Sequence, residues 1–202
     1  QALQHARTPR TEFYTPTILP NNPFTTTAAS TTVTVNQPNH GRSTGDAVSF
    51  TNVQGATGGV TAAIFLMETT LVYPITSTQT TLTLTDSTAF PTTGYIVIQP
   101  GSNSNETIQY TGKSSNTLTG CIRGTSAPIQ GSTPLATTAV THNLGAKIFG
   151  SYIITRTTSS VTINGVSVPY SFSFTFGLVS AASSAGVGGG VLVFAGPINQ
   201  RG

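Results

Sequence analysis

Acid–base or glycoside chemistry in this chain would have to come from five carboxylates, Glu12, Asp46, Glu68, Asp86 and Glu106, and three histidines, His5, His40 and His142. Cleavage of a glycosidic bond usually takes two carboxyl groups facing each other across the sugar, and Glu68 with Asp86 or Glu106 is the pairing left open. His40 can cap its own loop or pair with Asp46. As a catalytic pair the two would need a nucleophile, and the many serines offer no strained Gly-x-Ser-x-Gly elbow. The histidines lie far apart with no ligand spacing around them. A single cysteine, Cys121, excludes an intrachain disulfide and any multi-cysteine metal site. It follows an apolar alternation and reads as a small core residue, while Arg123 just after it would anchor a turn through its guanidinium donors. The expectation is a protein that is not an enzyme, with no metal and no cofactor.

Charge is scarce, since Asp, Glu, Lys and Arg make up 6% of the residues, against about a quarter in ordinary domains. Thr fills roughly a fifth of the chain, and 21 Gly and 12 Pro punctuate it. Thr is β-branched, fits the pleated surface of a sheet and resists helix, so strands are expected throughout. The net charge is +3 and the pI about 9.3, yet the basic residues are spread out, with Arg7 and Arg10 the only close pair. A phosphate-binding surface wants clustered cations, so no nucleic-acid partner is expected. No apolar run reaches the roughly 18 residues of a membrane helix, and Gln1–Arg10 lacks the apolar run of a signal peptide. No membrane insertion is expected, and folding in a reducing cytoplasm is.

The chain divides into an arm and a body. In residues 1–24, Pro9, Pro16, Pro20 and Pro23 favour extended chain, and the apolar Phe13, Tyr14, Ile18 and Leu19 between them are poorly placed in water. That combination reads as an arm laid over a neighbouring subunit with those four residues as its contacts; the other reading is a floppy terminus. From Thr25 the pattern alternates. Thr32-Val33-Thr34-Val35 places valines on one face, Asn36 to Asp46 turns twice, and Ala47-Val48-Ser49-Phe50 is the next strand, expected to pair with the first as a hairpin. Gly41 and Gly45 suit turn positions that need permissive φ, and Asp46 can bond backbone amides in the same turn, so His40, Gly41, Gly45 and Asp46 read together as a structural turn.

Residues 62–72 are ambiguous between a buried strand and a short helix. Thr80 to Thr85, Tyr95 to Ile98, Glu106 to Tyr110, Leu118 to Ile122 and Ala146 to Phe149 form a central group of strands that looks like its own small sheet. Tyr152 to Arg156, Ser160 to Ile163, the turn Asn164-Gly165 and Val166 to Phe176 follow, and Asn-Gly between alternating runs is a strong hairpin signal because both turn residues need positive φ. Tyr170, Phe172, Phe174 and Phe176 share one face and are read as core. Val191 to Phe194 is the last strand.

Asn39 to Phe50 resembles the "HGLxTGDxVxF" phrase of a small β module repeated in phage tail proteins. Gly58-Gly59-Val60, Ser151 to Thr155, and Ala181-Ala182-Ser183 with Gly188-Gly189-Gly190 match the later pieces of that module in order. The long gap between them resembles a second phage segment, of the form "ExIxYTG…LTGCxRG", in Glu106 to Gly112, Leu118 to Gly124 and Ala139 to Ala146. The fold implied is all-β: a discontinuous small β-barrel or sandwich over 25–72 and 150–195, a second β domain inserted at 73–149, the arm at 1–24 and a tail at 196–202. The function implied is that of a structural component of the exterior of a tailed phage particle, in tail, fibre, baseplate or capsid decoration. It would be assembled in the bacterial cytoplasm and contact other copies of itself and other virion proteins. The alternative is a module that binds a host-surface glycan, through the loops Gln99 to Asn105 or Lys113 to Asn116 and with Tyr95, Tyr110 or Tyr170 stacking on the sugar.

Overall fold

Thr32 to Asn36 shows how local pattern becomes architecture: Val33 and Val35 are fully buried while the threonines beside them face outward, the period-two arrangement of a half-buried strand. The computed structural model describes residues 16–100 and 102–200, and over these the protein is all-β, with one α-helix of a single turn and a short 3₁₀ turn. Its strands form four open antiparallel sheets, none closed into a barrel. The first runs Thr17–Ile18, Phe194–Pro197, Ala47–Thr51, Tyr152–Ile153 in spatial order. The second runs Thr155–Ile163, Val166–Gly177, Thr32–Asn36, Phe24–Thr26, Gly186–Gly188.

Aromatic side chains from both of these sheets meet between them, which makes the pair a sandwich. Phe24 stacks on Phe65 at 4.3 Å and meets Phe50 edge-on at 5.1 Å, and Tyr152 lies 4.1 Å from Phe176. Offset and edge-on contacts are the arrangements the ring quadrupole favours.

A third sheet orders Ile122–Thr125, Glu106–Tyr110, Gly94–Ile98, Lys147–Gly150 and Glu68–Thr70, and a small fourth one Leu82–Thr83, Thr117–Thr119 and Gly112–Ser114. The ambiguous stretch 62–72 resolves into both classes: Ala62–Leu66 is helical, Met67 turns left-handed at φ 48°, and Glu68–Thr70 pairs with Lys147–Phe149. The chain thus passes into the third sheet at Met67 and leaves it at Gly150, whose amide donates to the Met67 carbonyl at 2.9 Å. A Cβ at Gly150 would lie 2.6 Å from Met67 Cε and 2.8 Å from a Phe90 ring carbon, so this crossing is packed without room for a side chain. Most of the buried apolar residues form one cluster that runs through it, from Phe24 and Val33 by way of Met67 and Phe90 to Ile108 and Leu118, and a small second cluster gathers Ala47, Val97, Ala127 and Ile198.

Four expectations are corrected by the structure. Thr32–Asn36 and Ala47–Thr51 do not pair; they lie in opposite sheets, and the turns between them carry the chain across the sandwich. Residues 196–200 are not a tail: Gly196 and Pro197 complete a strand paired with Val48 and Ser49, and Ile198 is fully buried. Residues 16–24 are not an arm over a neighbour either. Thr17–Ile18 pairs with Phe194–Ala195, Leu19 is buried in the chain's own core, and only Ile18 of the described contact candidates stays exposed; Phe13 and Tyr14 lie outside the described residues.

The aromatic stripe is the fourth correction. Phe174 and Phe176 are core, but Tyr170 is only half-buried and Phe172 is 44% exposed. The register shifts between Thr157 and Ser159, which face Ser173 and Tyr170, so the aromatic strand carries an extra residue there. A bulge of one residue reverses which side chains point inward, and Ser171 takes the buried position that alternation assigns to its neighbours.

Candidate functional site

The crossing from Gln37 to Asp46 is built as a structural node. Gly41 and Gly45 have φ of 64° and 98°, left-handed values that glycine adopts without strain. Asp46 Oδ2 accepts from the Ser43 amide at 3.0 Å and closes the turn, while Oδ1 accepts from the Gln130 amide at 2.6 Å and ties the turn to a distant loop. Asp46→Ala removes the acceptor of both part-buried bonds, each worth roughly 1 kcal/mol or more; the midpoint of urea unfolding is expected to fall accordingly, and to fall less in Asp46→Asn, which keeps one acceptor.

His40 turns away from Asp46 toward the facing strand. Its Nδ1 accepts from the Arg42 amide at 2.9 Å, so the ring proton sits on Nε2, which donates to Ser171 Oγ at 2.7 Å and the Ser173 carbonyl at 3.0 Å. Burial lowers the His40 pKa and the nearby Arg156 and Arg42 charges push the same way, against the Ser173 contact that raises it. Ser171 and His40 stand at the distance of a nucleophile and its base, but a ring that already carries its proton on Nε2 cannot take one from Ser171, and Ser171 itself is buried and donates to the Thr157 carbonyl.

Arg42 was not singled out by sequence reasoning, although a lone cation inside a charge-poor turn is the signal for it. Its guanidinium donates to Gln37 Oε1 at 3.2 Å, Thr17 Oγ1 at 3.0 Å and the Ala195 carbonyl at 3.1 Å, and lies 5.6 Å from the centre of the Phe174 ring. Burial brings its pKa down to about 10, which leaves it charged at neutral pH. It fastens the first and last described strands to the turn.

A second node lies in the third sheet. Glu106, fully buried, accepts from Arg123 Nε at 2.7 Å and Nη2 at 2.9 Å, from the Gly124 and Val140 amides at 2.9 and 3.1 Å, and from His142 Nε2 at 2.9 Å. Arg123 also donates to the carbonyls of Thr76, Gln79 and Val140, and His142 Nδ1 meets Gln99 Oε1 at 2.7 Å. Two segments thereby converge on the carboxylate of a third, and Arg123 and His142 tie in two more. Burial alone would raise the Glu106 pKa, but the bonds from His142, Arg123, Val140 and Gly124 outweigh it and hold the group at about 2. Because the folded value lies below the unfolded one, this carboxylate adds stability that is complete above about pH 4.5 and disappears as pH falls toward 2. Urea midpoints measured across that range are expected to drop in the wild type, with a shallower drop in Glu106→Gln.

The remaining chemistry-bearing residues are dispersed. Glu68 is exposed and pairs with Lys147 at 3.5 Å, and Asp86 caps the Thr88 amide at 2.8 Å, so neither forms with the sealed Glu106 a pair open to a sugar. Cys121 is buried, which pushes its thiol up to about 11. Among the described residues no three His, Cys, Asp or Glu converge as a metal site, and no helix is long and apolar enough to cross a membrane.

The loops considered for glycan contact are occupied with their own fold. Lys113 Nζ donates to the Ser87 and Phe90 carbonyls at 2.7 and 2.8 Å, and Asn116 Oδ1 accepts from Ser87 Oγ at 2.9 Å. Tyr110 is buried and out of reach of any sugar. An open pocket of about 520 Å³ beside Gln99, Ser102, Lys147 and Phe149 adjoins the other loop, but the Gln99 side-chain oxygen is already taken by His142.

Thr155–Ile163 and Val166–Gly177 form a hairpin turned by Asn164 and Gly165 at φ 50° and 78°. Every residue from 155 to 169 is exposed. No family model, curated protein or solved structure matches the chain.

Proposed function

We propose that the protein is a non-enzymatic structural component of the exterior of a tailed phage particle, acting through contacts with other copies of itself and with other virion proteins. The observation that carries this reading is where its polar chemistry goes. His40, Arg42, Asp46, Glu106, Arg123 and His142 are all engaged in fastening strands to one another, while the outward faces are dominated by Thr, Ser and scattered aliphatics. A contiguous exposed apolar patch marks a contact surface, and Val161, Ile163, Val166 and Val168 form one. The resemblance of Asn39 to Phe50 and of Glu106 to Gly124 to phage modules supplies the setting, the virion, with assembly in the host cytoplasm.

Mass spectrometry of gradient-purified particles tests this. Peptides of the chain are expected to co-purify with the major particle proteins at a fixed ratio; their confinement to the soluble lysate would overturn the reading. Selective binding of the isolated protein to a host polysaccharide on a glycan array, with no presence in particles, would favour the glycan reading instead.

A further inference from the structure

The projecting hairpin is a two-stranded ribbon with one apolar face. Val161 lies opposite Val168, and Ile163 opposite Val166, so all four side chains stand on the same side, between 38% and 63% exposed. The other side presents Ser160, Thr162, Ser167 and Pro169. Both edges of the ribbon are unpaired as well. Thr155–Ile163 is the last strand of its sheet, and main-chain bonds to Val166–Gly177 from Gln37 and Asn39 reach no further than Ser171. A two-stranded ribbon is marginal alone in water, and free edges invite another strand.

We propose that this ribbon is a self-association element whose Val161, Ile163, Val166 and Val168 face meets a second copy of the chain. The inference rests on the assembly reading and names its partner. Charge decides among the occupants. No charged residue occurs from Thr157 to Phe176, so two identical faces meet without like-charge repulsion, the condition a two-fold interface of one patch on itself must satisfy. A lipid surface would be gripped by cations beside the aliphatics, and the ribbon has none beyond Arg156 at its base. A sugar site sets aromatics among carboxylates; Tyr170 and Phe172 stand at the base of this face, but its four outer residues are aliphatic and no carboxylate occurs from Thr157 to Phe176.

Sedimentation velocity of the full chain over a concentration series tests the proposal, with the double variants Ile163→Asp/Val166→Asp on the apolar face and Thr162→Asp/Ser167→Asp on the opposite one. Thermal melts that match the wild type show that the body, which does not contain these residues in its core, is intact. The wild type is expected to populate an oligomer that grows with concentration, the apolar-face variant to sediment as monomer, and the opposite-face variant to behave as wild type. A wild type that is monomeric throughout, or an apolar-face variant that assembles unchanged, overturns the proposal. So does a monomer that floats with neutral phosphatidylcholine vesicles through the same face, which assigns the ribbon to lipid. A monomeric chain that is nevertheless present in purified particles would defeat this inference and leave the structural role standing, whereas an oligomer absent from particles would do the reverse.

Discussion

Glu106→Gln is expected to destabilise the protein by about 3–5 kcal/mol, the cost of leaving a buried guanidinium without its counter-charge. Five donors point at the two carboxylate oxygens. An amide of the same shape removes the negative charge, keeps one acceptor and turns an NH₂ group toward donors that have nowhere else to go. At about 2–4 °C per kcal/mol for a chain of this size, the melting temperature should fall by roughly 10 °C. The double variant Glu106→Leu/Arg123→Met should recover much of the loss, because removing both charges also removes the desolvation they carry. Calorimetric or circular-dichroism melts of the three proteins check this. A single variant that melts like the wild type would show that the carboxylate holds nothing in place.

The second large effect is expected in the sandwich. Phe24→Ala deletes a fully buried ring that stacks on Phe65 and meets Phe50 and Phe176 edge-on. Such deletions cost about 3–5 kcal/mol through lost transfer energy and the cavity left behind. Phe24→Leu should recover part of the loss by filling part of that volume. Because one apolar cluster runs from Phe24 to Leu118, urea unfolding followed by far-ultraviolet and tyrosine signals should show the variant losing both in a single earlier transition. Loss of the Phe24 region alone, with Tyr110 and its sheet unfolding at the wild-type midpoint, would show that the two sheet pairs fold separately.

Local pattern made the strands legible, and long-range geometry was not. Thr-Val alternation at Thr32 to Val35 and the Asn164-Gly165 turn are period-two and positive-φ signals, which act over a few residues. Which strands pair is set by the whole sandwich, so Ala47–Thr51 went to the opposite sheet from Thr32–Asn36 despite the short connection. The bulge that exposes Phe172 had no marker in Tyr170 to Phe176, where unbroken alternation reads as one buried face. The prolines at Pro16, Pro20 and Pro23 spoke for extended chain, but not for whether Leu19 would be covered by its own core or another's.

At the candidate site the same division holds. Gly41, Gly45 and Asp46 were readable as a turn because their roles are local. Glu106, Arg123 and His142 lie on three separate segments, and no spacing rule brings them together. In a chain with five carboxylates, the hint was scarcity: a glutamate at the head of a buried strand, Glu106 to Tyr110, needs a cation, and Arg123 stands on the neighbouring strand Ile122–Thr125.

The central claim is that these outward faces belong to the exterior of a phage particle. Its most direct test is antibody labelling of intact particles in the electron microscope, with antibodies raised against the folded chain. Gold at repeated positions on unopened particles is the predicted result. Label that appears only after particles are broken open, or on none of them, would contradict the account.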